Sequence, residues 1–318
     1  MIIKNVLYSI IAVFKMHKAF HGKEYRTNVL LTEIIRNVHS IEKGMCIDEP
    51  RMEYGKAKIK AIFQLMGEYL VLHQDINADE INMGTSAIAS YLNFHKSKGY
   101  SSDYLKQVED ELEAFVLKFG LSEPKSKFGG AIEIESRQID QTIRDSFTKF
   151  LYNRHSTRDF EQTPVDNSLV FQAVEIANRC PSACNRQTTR VYILEKNKIV
   201  ELKQWLSGIG GFADSLNKLL VITGQISAFN DGEIFQHIMN AGIFTGYLTM
   251  ALEACGLGAC VVQRPLLYSR RWAKFARENG IPSNEQITCV IAVGNKKGKF
   301  KTPVSYRFNS EKIAKVIK

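Results

Sequence analysis

The chain has 318 residues, 45% of them hydrophobic and 24% charged, with a formal net charge of +9. This balance excludes a disordered or low-complexity chain, and the length suits two globular regions. The positive excess lies at the two ends, in residues 1–60 and 264–318. No helix-turn-helix cue or aromatic–basic platform accompanies it, so no nucleic-acid partner is expected.

The N-terminal run MIIKNVLYSIIAVFKMHKAFHGK carries a ten-residue, largely apolar stretch over residues 5–14, followed by basic residues. It lacks the small-residue cleavage site of a secretory signal and is shorter than the ~20 apolar residues needed to span a bilayer. It reads as an amphipathic helix docked on the protein body, with a weak membrane-surface contact through residues 1–20 as the alternative. The six cysteines (Cys46, Cys180, Cys184, Cys255, Cys260, Cys289) fall at no zinc-ligand spacing, so no metal is expected. Reduced thiols and a missing signal point to the cytoplasm.

Over residues 23–119 apolar positions recur every three or four residues, which predicts helices and almost no strand. Residues 56–73 are the clearest case. A further helix is expected after Ser102, which suits a cap, and should close at Gly120. The stretch NVHSIEKGMCIDEPRMEYGKAK (37–58) mixes His39, Glu42, Lys43, Arg51 and Tyr54 around Gly44 and Gly55. It reads as a solvated loop or salt-bridged contact, or else as a cover folded over a ligand cleft. Pro124 and Gly129-Gly130 break the periodicity, making residues 121–144 the expected linker between a helical region, 1–140, and a second region, 145–318.

Beyond the linker the texture changes. Residues 190–195, 218–225 and 287–295 are short Val- and Ile-rich runs that predict strands. Helical patterns over 169–179, 198–206, 233–255 and 270–279 separate them, giving an α+β arrangement. The glycines at 256 and 258 suit a helix end, with Val261, Val262 and Gln263 extended after it.

Four short motifs carry chemistry. Residues 152–160, YNRHSTRDF, bring together Arg154, His155, Ser156 and Arg158, a donor set suited to a phosphate dianion or else to an ordinary basic helix end. The second motif is Pro181-Ser182-Ala183 leading to Asn185 and Gln187, whose amides both donate and accept; it suits a flat heteroaromatic ring or a plain polar turn. The third is Gly256-Leu257-Gly258 with the extended run after it, and the fourth is the late Arg307.

In this order, these motifs resemble the nitroreductase family of FMN-dependent oxidoreductases, across residues 145–318. The resemblance implies a mixed sheet flanked by helices, preceded here by an unfamiliar helical extension. It implies that Arg154, His155, Ser156, Arg158 and Arg307 hold the FMN phosphate and ribityl chain. Pro181, Ser182, Ala183, Asn185 and Gln187 would line the flavin, with Val261, Val262 and Gln263 against the ring. It further implies a homodimer with the flavin at the subunit interface, packed through the nearly uncharged helix near 234–254; a core helix within one subunit is the other reading.

Hydride transfer from NADH or NADPH through flavin N5 to a small acceptor, such as a quinone or nitro compound, is then the expected activity. Arg158 is the catalytic candidate, as a fixed cation near the flavin's N1–C2 edge. Two alternatives are a dedicated biosynthetic flavin enzyme whose substrate the helical region grips, and a flavin-binding protein without turnover. Gln263, where many members are acidic, and Arg264-Pro265, in place of a small residue, depart from the family pattern and leave the nicotinamide donor open; Arg264 is a candidate to cover the flavin or to exclude bulky acceptors.

Overall fold

The computed structural model describes residues 2–136, 138–203, 206, 208–209, 211–230, 232–263 and 270–317. Its first part is a bundle of helices: α1 (Ile2–His21), α2 (Arg26–Met45), α3 (Lys56–His73), α4 (Asp79–Ser97) and α5 (Asp103–Phe119). The three-and-four spacing of apolar residues puts Leu30, Ile34, Val38, Ile62, Met66 and Ile88 into one buried cluster between α2, α3, α4 and α5. The expected ends of α5 are both present. Ser102 accepts from the Leu105 amide at 3.2 Å, and Gly120 closes the helix at φ +62°.

The mixed stretch 37–58 is not a solvated loop throughout. Its first nine residues complete α2 and bury Asn37, Val38, Ile41, Gly44 and Met45. The turn that follows is fixed from inside. The Tyr54 hydroxyl donates to the Ile41 carbonyl at 3.0 Å, the Tyr91 hydroxyl donates to the Tyr54 carbonyl at 3.0 Å, and His95 Nε2 accepts from the Glu53 amide at 3.0 Å. Gly44 is required there, because a Cβ would stand 2.0 Å from the Tyr54 ring.

The expected linker is also shorter than its sequence texture suggests. Ser90 donates to the Gly129 carbonyl at 2.8 Å, and Glu42 accepts from the Gly130 amide at 3.2 Å, so the double glycine is strapped to the bundle. The next helix, α6 (Gln141–Asn153), starts inside the linker. Asp140 caps it by accepting from the Thr142 amide at 2.7 Å.

The rest of the chain runs α7 (Asn167–Ala177), β1 (Thr189–Glu195), α8 (Lys196–Lys203), β2 (Lys218–Gln225), α9 (Gln236–Ala254), β3 (Leu257–Gln263), α10 (Arg270–Glu278), β4 (Glu285–Asn295) and α11 (Ser310–Ile313). The strands lie in the order β1-β2-β4-β3, each pair antiparallel. Among the described residues, a bridge between Ser156 and Ala259 adds a parallel contact to the sheet. Strand alternation divides the core. Leu220 and Ile222 face α7 and α9, whereas Leu219 and Val221 face the cluster of Ile199, Leu202 and Phe275.

Strand β3 is read from the sequence only from Val261 onward, yet it begins at Leu257. Of the two glycines read as a helix end, Gly256 (φ +81°) closes α9, while Gly258 lies within β3. The expected helix 198–206 is α8, described over Lys196–Lys203; residues 204 and 205 lie outside the described residues, as does Arg264-Pro265.

The two regions touch. α1 and α2 pack on a short 3-10 turn, Ile226–Ala228, and α2 also packs on the turn Ala183–Asn185. No helix among the described residues is long and apolar enough to cross a membrane.

Candidate functional site

The chain leaves α6 at Arg154, whose backbone is extended (φ −73°, ψ 121°). Thr157 and Phe160 are fully buried, whereas His155 and Arg158 are exposed and Arg154 is half-buried. The segment lies along the outer edge of β3: the Thr157 amide donates to the Ala259 carbonyl at 3.0 Å. Gly258 makes this approach possible, because a Cβ there would stand 2.9 Å from both Thr157 Cβ and Cγ2. Phe160 seats against Gly294 in the same way and anchors the far end.

Arg154 and Arg158 both lie near Cys260. Burial pushes that thiol up, and the two guanidiniums pull against the shift. Among the described residues no carboxylate pairs with Arg154, Arg158 or Arg307; Arg158 donates only to the Ser156 carbonyl (3.4 Å) and Arg307 to the Ser305 carbonyl (2.6 Å). The Thr157 hydroxyl is buried without a hydrogen-bond partner. Guanidiniums without carboxylate partners are the chemistry of an anion site. The C-terminal tail reaches the same place, with the Thr302 hydroxyl donating to the Ser156 carbonyl at 3.4 Å. Arg307, five residues further on, is exposed and within a chain span of about 17 Å.

The second motif forms a tight loop before β1. Cys184, Asn185 and Gln187 all have positive φ (51°, 54° and 49°). Ser182 accepts from the Gln187 amide at 3.1 Å, and Asn240 of α9 accepts from the Ala183 amide at 3.3 Å. Pro181 and Asn185 stay exposed, and Ser182, Ala183 and Gln187 half-exposed.

The residue that holds this loop, Arg186, was not singled out from the sequence. Its guanidinium is buried, forks onto both oxygens of Glu233 (2.9 and 2.7 Å), donates to the Ala228 carbonyl (3.0 Å) and lies 4.8 Å from the Phe229 ring centroid. Burial would raise the Glu233 carboxyl, but Arg186 outweighs it and holds the group below the usual range. Nothing local signals this pair; its members are 47 positions apart.

Val261 and Val262 stand in the edge strand β3. The Val262 side chain is 6% exposed and belongs to the core, so only its backbone is free to face a ligand. Gln263 is the last residue of β3.

The structure therefore brings Arg154, His155, Ser156, Arg158, Val261 and the base of the tail to one edge of the sheet. It does not bring the 181–187 loop there. Ala259 shares a row with Val293, Lys218 and Glu195, whereas the loop enters at Thr189, opposite Gly224 and Gln286. These are opposite corners, separated by about 14 Å across the strands and about 20 Å along them.

The sequence model of the nitroreductase family matches residues 151–214, which include both the arginine segment and the loop. This part of the chain thus resembles that family. Solved structures with related folds include an FMN-dependent nitroreductase from Clostridium difficile R20291 (23% identity, 51% of this chain and 92% of that one, TM-score 0.42). A nitroreductase-like protein from Streptococcus mutans is 18% identical over 55% of this chain and all of its own, with a TM-score of 0.46. A protein from Desulfovibrio desulfuricans solved in complex with FMN is 16% identical over 52% and 94%, with a TM-score of 0.45. No curated protein matches the chain significantly.

Proposed function

We propose that the protein is an FMN-dependent oxidoreductase of the nitroreductase family that works as a homodimer. The observation that carries this reading is that, among the described residues, Arg154, Arg158 and Arg307 have no carboxylate partner, while the hydroxyl of Thr157, in the same segment as the first two, is orphaned. Arg154, Arg307 and Ser156 would hold the phosphate, with His155 beside them. Bound there, the flavin supplies hydride exchange between NADH or NADPH and a small acceptor such as a quinone or nitro compound. Arg158 acts as a fixed cation for the electron-rich edge of the ring. Pro181, Ser182, Ala183, Asn185 and Gln187 form the opposite wall.

The corner-to-corner separation supports the dimer, since a second copy related by two-fold symmetry would bring its loop to the first copy's arginines. Apolar faces suited to such pairing are exposed: Ile143, Phe147 and Leu151 on α6, and Met239, Ile243 and Tyr247 on α9.

Arg154→Ala combined with Arg307→Ala should purify folded but colourless, because charge-assisted bonds of roughly 1.5–3 kcal/mol each are lost. Identifying the chromophore that heat releases from the wild-type protein tests the cofactor directly. A variant that keeps its full yellow complement would overturn the phosphate assignment.

One observation favours a more dedicated enzyme, with the helical region gripping its substrate. α2 packs on the Ala183–Asn185 turn, and Arg36, whose pKa is raised chiefly by its partner Glu33, is close enough to Glu233 and Cys184 for both to favour its charge. Broad turnover of quinones and nitro compounds would count against this narrower reading, whereas a reducible flavin without such turnover would support it.

A further inference from the structure

Helix α1 presents its apolar side to solvent. Val6, Leu7, Ile10, Val13 and Phe14 are 46–70% exposed, and their spacing (i, i+1, i+4, i+7, i+8) places them on one stripe. The opposite side is the docked one. Met16 and Ala19 are buried against Ile226, and Lys15 donates to the Glu285 carbonyl at 3.1 Å. Burial lowers the Lys15 pKa, as expected for an amine turned toward the body. The helix is thus held by one face while a contiguous apolar face remains uncovered, a feature that marks an interaction surface.

Its charge says what covers it. Residues 1–23 contain four lysines and no Asp or Glu. The first acid, Glu24, is engaged by Lys18 at 3.1 Å, and Lys23 is exposed beside it. Pairing this stripe with its counterpart on a second copy would set two helix surfaces of like charge against each other, with Glu24 already taken up by Lys18, which costs energy. An anionic lipid surface has the reverse charge and accepts an apolar stripe at the headgroup boundary.

We propose that α1 is an in-plane anchor that lays the protein on anionic membranes, with Ile10, Val13 and Phe14 dipping into the interface and Lys18 and Lys23 meeting headgroup phosphates. The inference is independent of the flavin reading.

Pelleting of the full-length protein with vesicles tests it. Vesicles of phosphatidylcholine mixed with phosphatidylglycerol should bind the protein about tenfold more strongly than phosphatidylcholine alone, and added salt should weaken the binding. Ile10→Ser with Phe14→Ser should reduce binding to background while circular dichroism and flavin content stay unchanged, because both side chains are already exposed. Lys18→Glu with Lys23→Glu should abolish the preference for anionic vesicles. The proposal is overturned if the wild-type protein pellets with neither vesicle or equally with both, or if the Ser variant pellets like the wild type. It is equally overturned if that Ser variant shifts the sedimentation coefficient in lipid-free buffer, since the stripe would then join copies of the chain.

Discussion

The pair that braces the 181–187 loop makes the most quantitative prediction. Glu233→Ala removes both carboxylate oxygens from a guanidinium whose side chain is only 2% exposed. Breaking a buried pair by deleting one partner costs roughly 3–5 kcal/mol, because a charge is left without compensation. Two features put this case at the lower end. Glu233 itself is 28% exposed, so water can enter in its place, and Arg186 keeps the Ala228 carbonyl and the Phe229 ring. A loss of about 3 kcal/mol is expected. With a urea dependence near 3 kcal/mol per M for a chain of this size, the midpoint should fall by about 1 M. Glu233→Gln, which keeps one acceptor, should lose about half as much. The loop has a stake in this pair, since left-handed Cys184 and Gln187 each cost on the order of 1 kcal/mol that surrounding contacts must offset. Flavin retention should therefore fall with stability. Urea titration followed by far-ultraviolet circular dichroism checks the magnitude, and a midpoint within about 0.3 M of wild type for Glu233→Ala would refute the reasoning.

The pair also sets a pH dependence: the folded-state pKa of Glu233 lies below its unfolded value, so its contribution is present above about pH 4.5 and lost as pH falls from there, a loss that Glu233→Gln should remove from the stability–pH curve. Glu53 behaves alike in the bundle, its carboxyl held at about 2 by Lys56, Ser102 and Tyr100, so wild-type stability should decline from pH 4.5 toward 2, and less steeply in Glu53→Gln. Gly44→Ala drives a methyl into the Tyr54 ring and should cost about 3 kcal/mol in thermal or urea unfolding. Gly258→Ala places a carbon 2.9 Å from Thr157, and the expected result is loss of bound flavin, read from absorbance per protein, exceeding its effect on stability of about 1–3 kcal/mol.

What could be read from the chain alone was what local order encodes. The α5 ends follow from Ser102 and Gly120, and the strands β1, β2 and β4 from runs of β-branched residues between turn signals. Where reading failed, the cause was a partner distant in sequence. Polar residues 37–45 look like loop because their composition is mixed, but Asn37, Ile41 and Gly44 fall on the buried face once α3 and α4 pack against α2. Arg186 looks like any loop arginine until α9 is preceded by Glu233 at the right distance.

Gly258 shows why the site was harder to read than the fold. As a local signal, a glycine two residues after another at a helix end suggests a cap, and Gly256 does cap α9. The role of Gly258 appears only when β3 takes the edge of the sheet and the arginine segment is laid along it, an arrangement fixed by the strand order β1-β2-β4-β3 and not by any neighbour in sequence. The same strand order sends the loop to the far corner. A motif list that looks like one site in the sequence falls, in the folded chain, at two corners of the sheet, and α6 and α9 leave apolar side chains exposed.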